Sequence, residues 1–292
     1  MTLRVATRGS TLARWQAERV ATRLGAEYEL VVVSTTGDER AETPIHAMGG
    51  TGVFVKQVQE AVLDGRADIA VHSAKDLPAV TDVGLTLAAI PERADARDAL
   101  VGTALGEIPT GGVIGTGSVR RRAQLASLRP DLEFGPLRGN IATRIEKASG
   151  FDAIVVALAA LERLGLTDHV AEVLDPRVML PQVGQGALAV ECRADDDPMA
   201  KALAGIDDPL RRREVEAERS FLETLGGGCD LPCGALAHAD GREVTIDVLL
   251  ASLDGRVVLR TAARGSEPRT TGVEAGRALL DEHGGRGLVE AL

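Results

Sequence analysis

The order of apolar runs predicts an α/β protein, with two similar parallel-sheet domains and a small C-terminal α+β domain. Three observations carry that prediction. Short runs of Val, Ile, Leu and Ala alternate with segments of helical periodicity from Leu3 to Val190, which is a βαβ rhythm. Hydrophobic residues make up 45% of the chain but aromatics only 2%, so the core is aliphatic, as strands buried on both faces require. A length of 292 residues suits two domains, or three small ones.

Leu3 to Ala6 reads as a buried strand, followed by Thr7-Arg8-Gly9-Ser10 with Ser10 placed to cap a helix. Leu12, Trp15, Val20 and Leu24 give that helix its apolar face, and Gly25 ends it. Tyr28 to Val33 is the next strand. Phe54, Val55, Val58 and Val62 mark a helix that stops near Asp64-Gly65. Asp68 to Val71 is a strand ending in His72-Ser73-Ala74-Lys75-Asp76, and Leu85 to Ile90 is another. The polar segment Pro91 to Asp98 reads as a crossover.

A second series then begins. Val113-Ile114-Gly115 leads through Thr116-Gly117-Ser118 into a helix reaching Leu128. Leu132 to Phe134 leads through Leu137-Arg138-Gly139-Asn140 into a helix reaching Ala148. Asp152 to Ala157 is a strand, and the helix after it ends at Gly165. Val183-Gly184-Gln185-Gly186 precedes a return strand, Ala187 to Val190. Asp208 caps and Pro209 opens a helix to Leu225. Val244, Ile246 and Val248 alternate as a strand, Asp254-Gly255 signals a hairpin, and Val257 to Arg260 returns. A last helix spans about 273–283. The expected domains are residues 1–93 with 187–206, residues 97–183, and residues 208–292.

A net charge of -10 argues against a nucleic-acid partner, yet arginines concentrated in one cleft still make an anion site. Three cysteines make no disulfide framework. No charged start precedes an apolar stretch and no apolar run nears ~20 residues, so a cytoplasmic protein with no membrane partner is expected.

Ligands of open α/β sheets bind beyond the carboxyl ends of the strands, where Arg8, Ser10, Ser73, Lys75, Asp76, Thr116, Ser118, Arg120, Arg121 and Arg138 all fall. The clusters at Ser10 and at Thr116-Gly117-Ser118 read either as plain helix caps or as anion sites at a helix N-terminus. Arg120-Arg121-Arg122 opens a helix, where positive charge opposes the dipole. Ligand contact is expected for Arg120 and Arg121, and solvent for Arg122. Lys75-Asp76 is either an ion pair on a turn or a carboxylate placed to stabilise a developing cation. His72 reads as an acid or base, or as a loop hydrogen-bond partner.

Cys229 lies in Leu225-Gly226-Gly227-Gly228-Cys229-Asp230, where glycines leave room for a bulky group on the sulfur. It follows a helix C-terminus, which does not lower a thiol pKa, so covalent attachment fits better than nucleophilic catalysis. Cys229, Cys233 and His238 match no common zinc spacing, so no metal is expected. Cys192 reads as core, and Cys233 as packing or as a bystander.

The combination resembles the porphobilinogen deaminase (hydroxymethylbilane synthase) family over nearly the whole chain. The carrying segments are Ala6-Thr7-Arg8-Gly9-Ser10, Phe54-Val55-Lys56, Ala70 to Pro78, Gly115 to Arg121, Leu137 to Asn140 with Thr143-Arg144, Val183 to Ala187, and Gly227-Gly228-Cys229. The resemblance implies two periplasmic-binding-protein-like α/β domains joined by crossovers, plus a small α+β domain carrying the cysteine. It implies a transferase of porphyrin (tetrapyrrole) biosynthesis that joins four porphobilinogen units head to tail into hydroxymethylbilane and releases ammonia. The implied cofactor is a dipyrromethane held by a thioether to Cys229, and a monomer is expected. Asp76 and Lys75 are then catalytic. Arg120, Arg121, Ser118, Thr116, Lys75 and Ser73 hold the cofactor. Arg8, Ser10, Arg138, Arg144, Arg163, Gln185 and Phe54 bind substrate.

Two positions depart from the family pattern: Thr51, where lysine is frequent, and Gly117, where serine is frequent. Two alternatives share most of these features. One is a two-lobed anion-binding protein, which needs no Gly-Gly-Cys loop. The other is a homologue that keeps the arginines without the cofactor.

Overall fold

The computed structural model describes residues 2–35, 55–227 and 231–291. The first lobe comprises β1 (Leu3–Arg8), α1 (Thr11–Leu24), β2 (Tyr28–Val33), α2 (Lys56–Leu63), β3 (Ile69–Ser73) and β4 (Leu85–Ala89). The second comprises β5 (Asp98–Gly102), β6 (Val113–Gly115), α3 (Val119–Leu128), β7 (Glu133–Gly135), α4 (Ile141–Glu146), β8 (Ala153–Ala157), α5 (Leu158–Leu164) and β9 (Val170–Val173). The chain then returns through β10 (Leu188–Arg193) and α6 (Asp197–Ala204). A third unit follows, with α7 (Pro209–Thr224), β11 (Cys233–Asp240), β12 (Glu243–Ala251), β13 (Val258–Gly265), α8 (Pro268–Arg277) and α9 (Arg286–Glu290).

The two lobes share one topology. Their five-stranded sheets run β2-β1-β3-β10-β4 and β7-β6-β8-β5-β9. In each, the strand arriving from the other lobe is antiparallel to its neighbours: β10 against β3 and β4, β5 against β8 and β9. This is the periplasmic-binding-protein-like arrangement expected from the sequence, with two crossovers joining the lobes. The crossovers also pair with each other. Arg93 bridges Ala187, the Ala94 amide donates to Gly186 O at 3.0 Å, and the Leu188 amide donates to Glu92 O at 3.1 Å.

Gly184 and Gly186 are needed for this pairing. Their φ values are 70° and 84°, in the left-handed region. A Cβ on Gly184 would press on the Ala74 backbone, and one on Gly186 would strike Ala94 O.

Three strands escaped the sequence pattern. Asp98 opens β5 rather than closing a polar crossover, because its charge is neutralised by arginines distant in sequence. β9 is a four-residue edge strand. β11 contains three alanines, a glycine and two charged or imidazole side chains, giving weak β propensity. The last long helix starts at Pro268 rather than near 273 and passes into a π-helical turn, Ala278–Glu282. The helix expected to reach Ala148 ends at Glu146 and continues as a 3₁₀ turn.

In the third unit, the β11-β12-β13 sheet packs on α7 and α8 around Ala217, Phe221, Ile246, Val248 and Leu279. The two helices meet backbone to backbone at Gly272, where a Cβ would collide with Ala217 O. Gly272→Ala should therefore lower stability by about 1–3 kcal/mol through overpacking. An unchanged urea midpoint would show that α7 and α8 can separate without cost.

Candidate active site

The carboxyl ends of β1, β3, β6 and β7 carry the polar clusters, as the topology requires of a cleft in an open sheet. Two cavities result. One is lined by Arg8, Ser10, Gln16, His72, Ser73, Lys75 and Asp76 of the first lobe. The other lies where all three units meet. It is lined by Lys75, Pro78 and Ala79 of the first lobe, Ser118 and Arg120 of the second, Gln182 and Val183 of the crossover, and Arg219, Leu222, Leu231 and Cys233 of the third. Lys75 borders both.

Lys75 and Asp76 sit on a 3₁₀ turn that stops β3 (Ala74–Asp76). The Lys75 ammonium donates to Gln185 Oε1 at 3.4 Å, so the crossover touches the turn directly. Burial, then the charge of Arg121, holds the Lys75 pKa down to about 8, with Asp76 and Asp98 opposing the shift and Arg144 adding to it. Burial, followed by Arg121, Arg138 and Arg8, likewise lowers the Arg144 guanidinium to about 10 against the pull of Asp76. Among the described residues, Arg8, Lys75, Arg121, Arg138 and Arg144 thus share one field, opposed chiefly by Asp76 and Asp98. Such an excess of cations in a buried cleft favours a polyanionic ligand.

The hydroxyls are partly committed to the fold. Ser10 accepts from the Ala13 amide at 3.2 Å and Ser118 from the Arg121 amide at 3.4 Å, as caps of α1 and α3. Thr116 Oγ1 accepts from the Ser118 amide at 3.2 Å, and Ser73 Oγ accepts from Gln16 Nε2 at 2.9 Å. Arg144 Nε donates to Gly139 O at 2.9 Å. A side chain at Gly117 would meet Leu137 O at 2.9 Å, so the loop is packed around a glycine here.

Arg120 and Arg121 do not project from their helix into open space. They are 3% and 5% exposed and converge on Asp98, which is fully buried. Arg121 Nε and Nη2 donate to Asp98 Oδ1 at 3.2 and 2.8 Å, and its Nη1 donates to Val155 O at 2.9 Å. Arg120 Nη1 donates to Leu180 O at 2.6 Å, and its Nη2 lies 2.8 Å from Asp98 Oδ2. That last contact is within ion-pair distance but is not aligned as a hydrogen bond, and Arg120 Nε has no partner among the described residues. A bound carboxylate is therefore not required to offset the unfavourable helix dipole. Asp98 already offsets it. Despite its own burial, the Asp98 carboxyl is held near pKa 2 by the two guanidiniums. Arg122 is exposed, its guanidinium 5.9 Å from the Phe134 ring centroid.

Arg163 lies apart from these cavities, at the contact between lobes. Its Nη2 donates to Gly186 O at 2.7 Å, and its guanidinium lies 5.6 Å from the Trp15 ring centroid. Gln185 is fully buried and donates to Ala96 O at 2.7 Å and Asp98 Oδ1 at 2.9 Å. His72 Nε2 lies 3.2 Å from Glu191, which also accepts from Gln59. Cys192 is core, its thiol pushed up to about 11 by burial. Cys233 is buried at the start of β11. Phe54, Thr51 and Cys229 lie outside the described residues. The residues flanking the Cys229 loop are informative: Leu231 lines the three-unit cavity, and Gly227 packs against Ala79.

The structure adds Asp98, Gln16, Gln182 and Arg219 to the residues around the site. Arg219 Nη2 donates to Ala79 O at 2.9 Å, tying α7 to the segment after Asp76. Asp98 had one readable signal, an acid opening an apolar run. Gln16 and Arg219 had none, since each sits among ordinary polar positions of a helix.

Residues 3–201 match the family model "Porphobilinogen deaminase, dipyromethane cofactor binding domain", and residues 212–281 match "Porphobilinogen deaminase, C-terminal domain". The chain belongs to the porphobilinogen deaminase family. Among its relatives, the porphobilinogen deaminase of Acidothermus cellulolyticus is 48% identical over 276 residues, covering 90% of this chain and 83% of that one. That of Syntrophus aciditrophicus is 44% identical over 302 residues, covering 99% and 98%. That of Roseiflexus sp. strain RS-1 is 45% identical over 301 residues, covering 99% and 98%. Among the described residues no helix is long and apolar enough to cross a membrane.

The depressed Lys75 pKa is directly measurable. The fold binds this proton less tightly than the unfolded chain does, so the charged lysine opposes folding below about pH 8, and less so as pH rises towards 10.5. The chain has four lysines, and Lys56, Lys147 and Lys201 are exposed. After reductive ¹³C-methylation, the Lys75 resonance should titrate near pH 8. A midpoint above pH 10 would contradict its partly buried, arginine-flanked placement.

Proposed function

We propose that this chain condenses four porphobilinogen units head to tail into a linear tetrapyrrole, releasing ammonia at each addition. We further propose that it does so on a dipyrromethane held by a thioether to Cys229. The observation that carries the reading is the cavity at the junction of the three units, which gathers Lys75, Ser118, Arg120, Arg219 and the Leu231 flank of the cysteine loop. The donor set suits the cofactor. Among the described residues, the buried Nε of Arg120, which lines this cavity, has no partner, and cations outnumber carboxylates around it. Arg120, Arg121, Ser118, Thr116, Lys75 and Ser73 would hold the acetate and propionate groups. When bound, the dipyrromethane supplies the pyrrole end onto which units are added.

The remaining roles follow from charge. Each porphobilinogen brings two carboxylates, which Arg8, Arg138 and Arg144 can meet as fixed cations, with Ser10 and Phe54 completing the substrate set; Arg163 and Gln185, held on Gly186 O and on Ala96 O and Asp98, act instead by fixing the crossover. Loss of ammonia leaves positive charge on the pyrrole of the incoming unit, which the end of the bound chain then attacks. Asp76, at the end of β3, stabilises this charge by accepting hydrogen bonds from the pyrrole N–H groups, and can take the proton released from the attacked α-carbon. Lys75 supplies a nearby proton-bearing group that binds carboxylate below about pH 8 and releases it above. The division into residues 1–93 with 187–206, 97–183 and 208–292 is supported by the three separate sheets.

Intact mass with Ehrlich reagent tests the reading. The purified protein should carry a dipyrrole that disappears in Cys229→Ser and survives in Cys192→Ser and Cys233→Ser. A parent protein without pyrrole would leave only an anion-binding protein of this fold, and an adduct mapped to Cys192 or Cys233 would refute the attachment site.

Asp76→Asn should keep fold and dipyrrole but lose ~10²–10³-fold in turnover, the cost of removing one preorganised electrostatic group. Near-parental turnover of porphobilinogen by this variant would exclude Asp76 as the catalytic carboxylate.

A further inference from the structure

Among the described residues, Asp98 is the one carboxylate that touches both arginines opening α3. An arginine has five N–H donors. In Arg121 three of them are taken, two by Asp98 Oδ1 and one by Val155 O. Its fork is therefore occupied by the protein, and a ligand can receive only single N–H groups from the outer nitrogens. Arg120 is pinned at Nη1 by Leu180 O and at Nη2 by the charge of Asp98, leaving Nε beside the three-unit cavity.

Asp98 also reaches across the cleft. It accepts from Gln185 Nε2 at 2.9 Å, and the same Gln185 side chain accepts from Lys75 Nζ at 3.4 Å through its Oε1. One carboxylate thereby connects the arginines of the second lobe, the crossover, and the turn that bears Lys75 and Asp76.

We propose that Asp98 is a positioning residue for the reaction: it selects which N–H groups of Arg120 and Arg121 remain for ligand carboxylates and, through Gln185, registers Lys75 against them. The proposal rests on the functional reading above, which assigns those three cations to carboxylate binding. A merely structural ion pair would contribute to folding and leave ligand recognition untouched, and two substitutions separate these roles.

Asp98→Glu keeps the charge but moves it by one methylene, so both guanidiniums must turn. Porphobilinogen KM should rise on the order of tenfold, the worth of one charge-assisted hydrogen bond, with kcat near the parent's. Asp98→Asn keeps the shape but removes the charge. The groups acting on Lys75 are Arg121, Arg144, Asp76 and Asp98. Loss of Asp98 leaves the arginines less opposed, so the Lys75 midpoint seen by ¹³C-methyl NMR should move to lower pH and the alkaline rise of KM should follow it. Asp98→Glu should leave that midpoint in place.

Both measurements use the full-length holoprotein, with folding checked by urea denaturation. Should Asp98→Asn fail to fold, Asp98→Glu decides alone: parental KM and pyrrole load in that variant would overturn the proposal. Folded Asp98→Asn with the parent's Lys75 midpoint would overturn it as well. A parent protein lacking pyrrole refutes the functional reading instead, and the Lys75 titration still judges the link from Asp98 to Lys75.

Discussion

Residues 92–94 and 186–188 pair with each other where the chain leaves and re-enters the first lobe, and the position of every site residue depends on that pairing. The two antiparallel strands, β5 and β10, are continuations of these crossovers, so each lobe is completed by chain arriving from the other. Glu218 of α7 fastens the third unit to the same place. Its carboxylate accepts from Arg93 Nη1 at 2.7 Å, from the Gly184 amide at 2.7 Å and from the Ala237 amide at 2.8 Å. Removing one partner from so buried a network would typically cost about 3–5 kcal/mol, because the others are left uncompensated. The crossover is therefore a hub on which three units are registered, and the cavity that collects Lys75, Ser118, Arg120 and Arg219 opens beside it.

The chemistry of the site is governed by how a cationic cluster is kept soluble inside protein. Arg8 ends β1, Arg138 lies in the loop after β7 and Arg144 in the short helix α4, and Lys75 gives up part of its proton affinity beside them. Arg120 and Arg121 are handled differently. They are buried against an internal carboxylate and backbone oxygens, so they are rigid before any ligand arrives. Preorganised donors of this kind lose little freedom on binding, which suits a cleft that must hold pyrrole carboxylates repeatedly.

Much of the fold could be read directly. The strand and helix pattern of both lobes, the return strand after Gln185, the caps at Ser10 and Asp208 and the stop at Gly25 follow from periodicity and capping chemistry acting within a few residues. β5, β9 and β11 could not be read that way. β5 begins with an acid whose burial makes sense only once Arg120 and Arg121 are adjacent, and β11 is too alanine-rich to announce a strand without α7 and β12 to pack on.

By itself the sequence determined the fold class, the family and the kinds of residue available to a cleft for anions, because those properties reside in local pattern and in motifs such as Gly184-Gln185-Gly186. Which groups meet was decided by tertiary structure alone. Asp98 lies 23 residues from Arg121, and Gln185 lies 110 from Lys75. No periodicity spans such distances. The charge balance of the site, the lowered Lys75 pKa and the convergence of three units on one cavity arise only when the crossovers bring these side chains together in a region from which water is largely excluded.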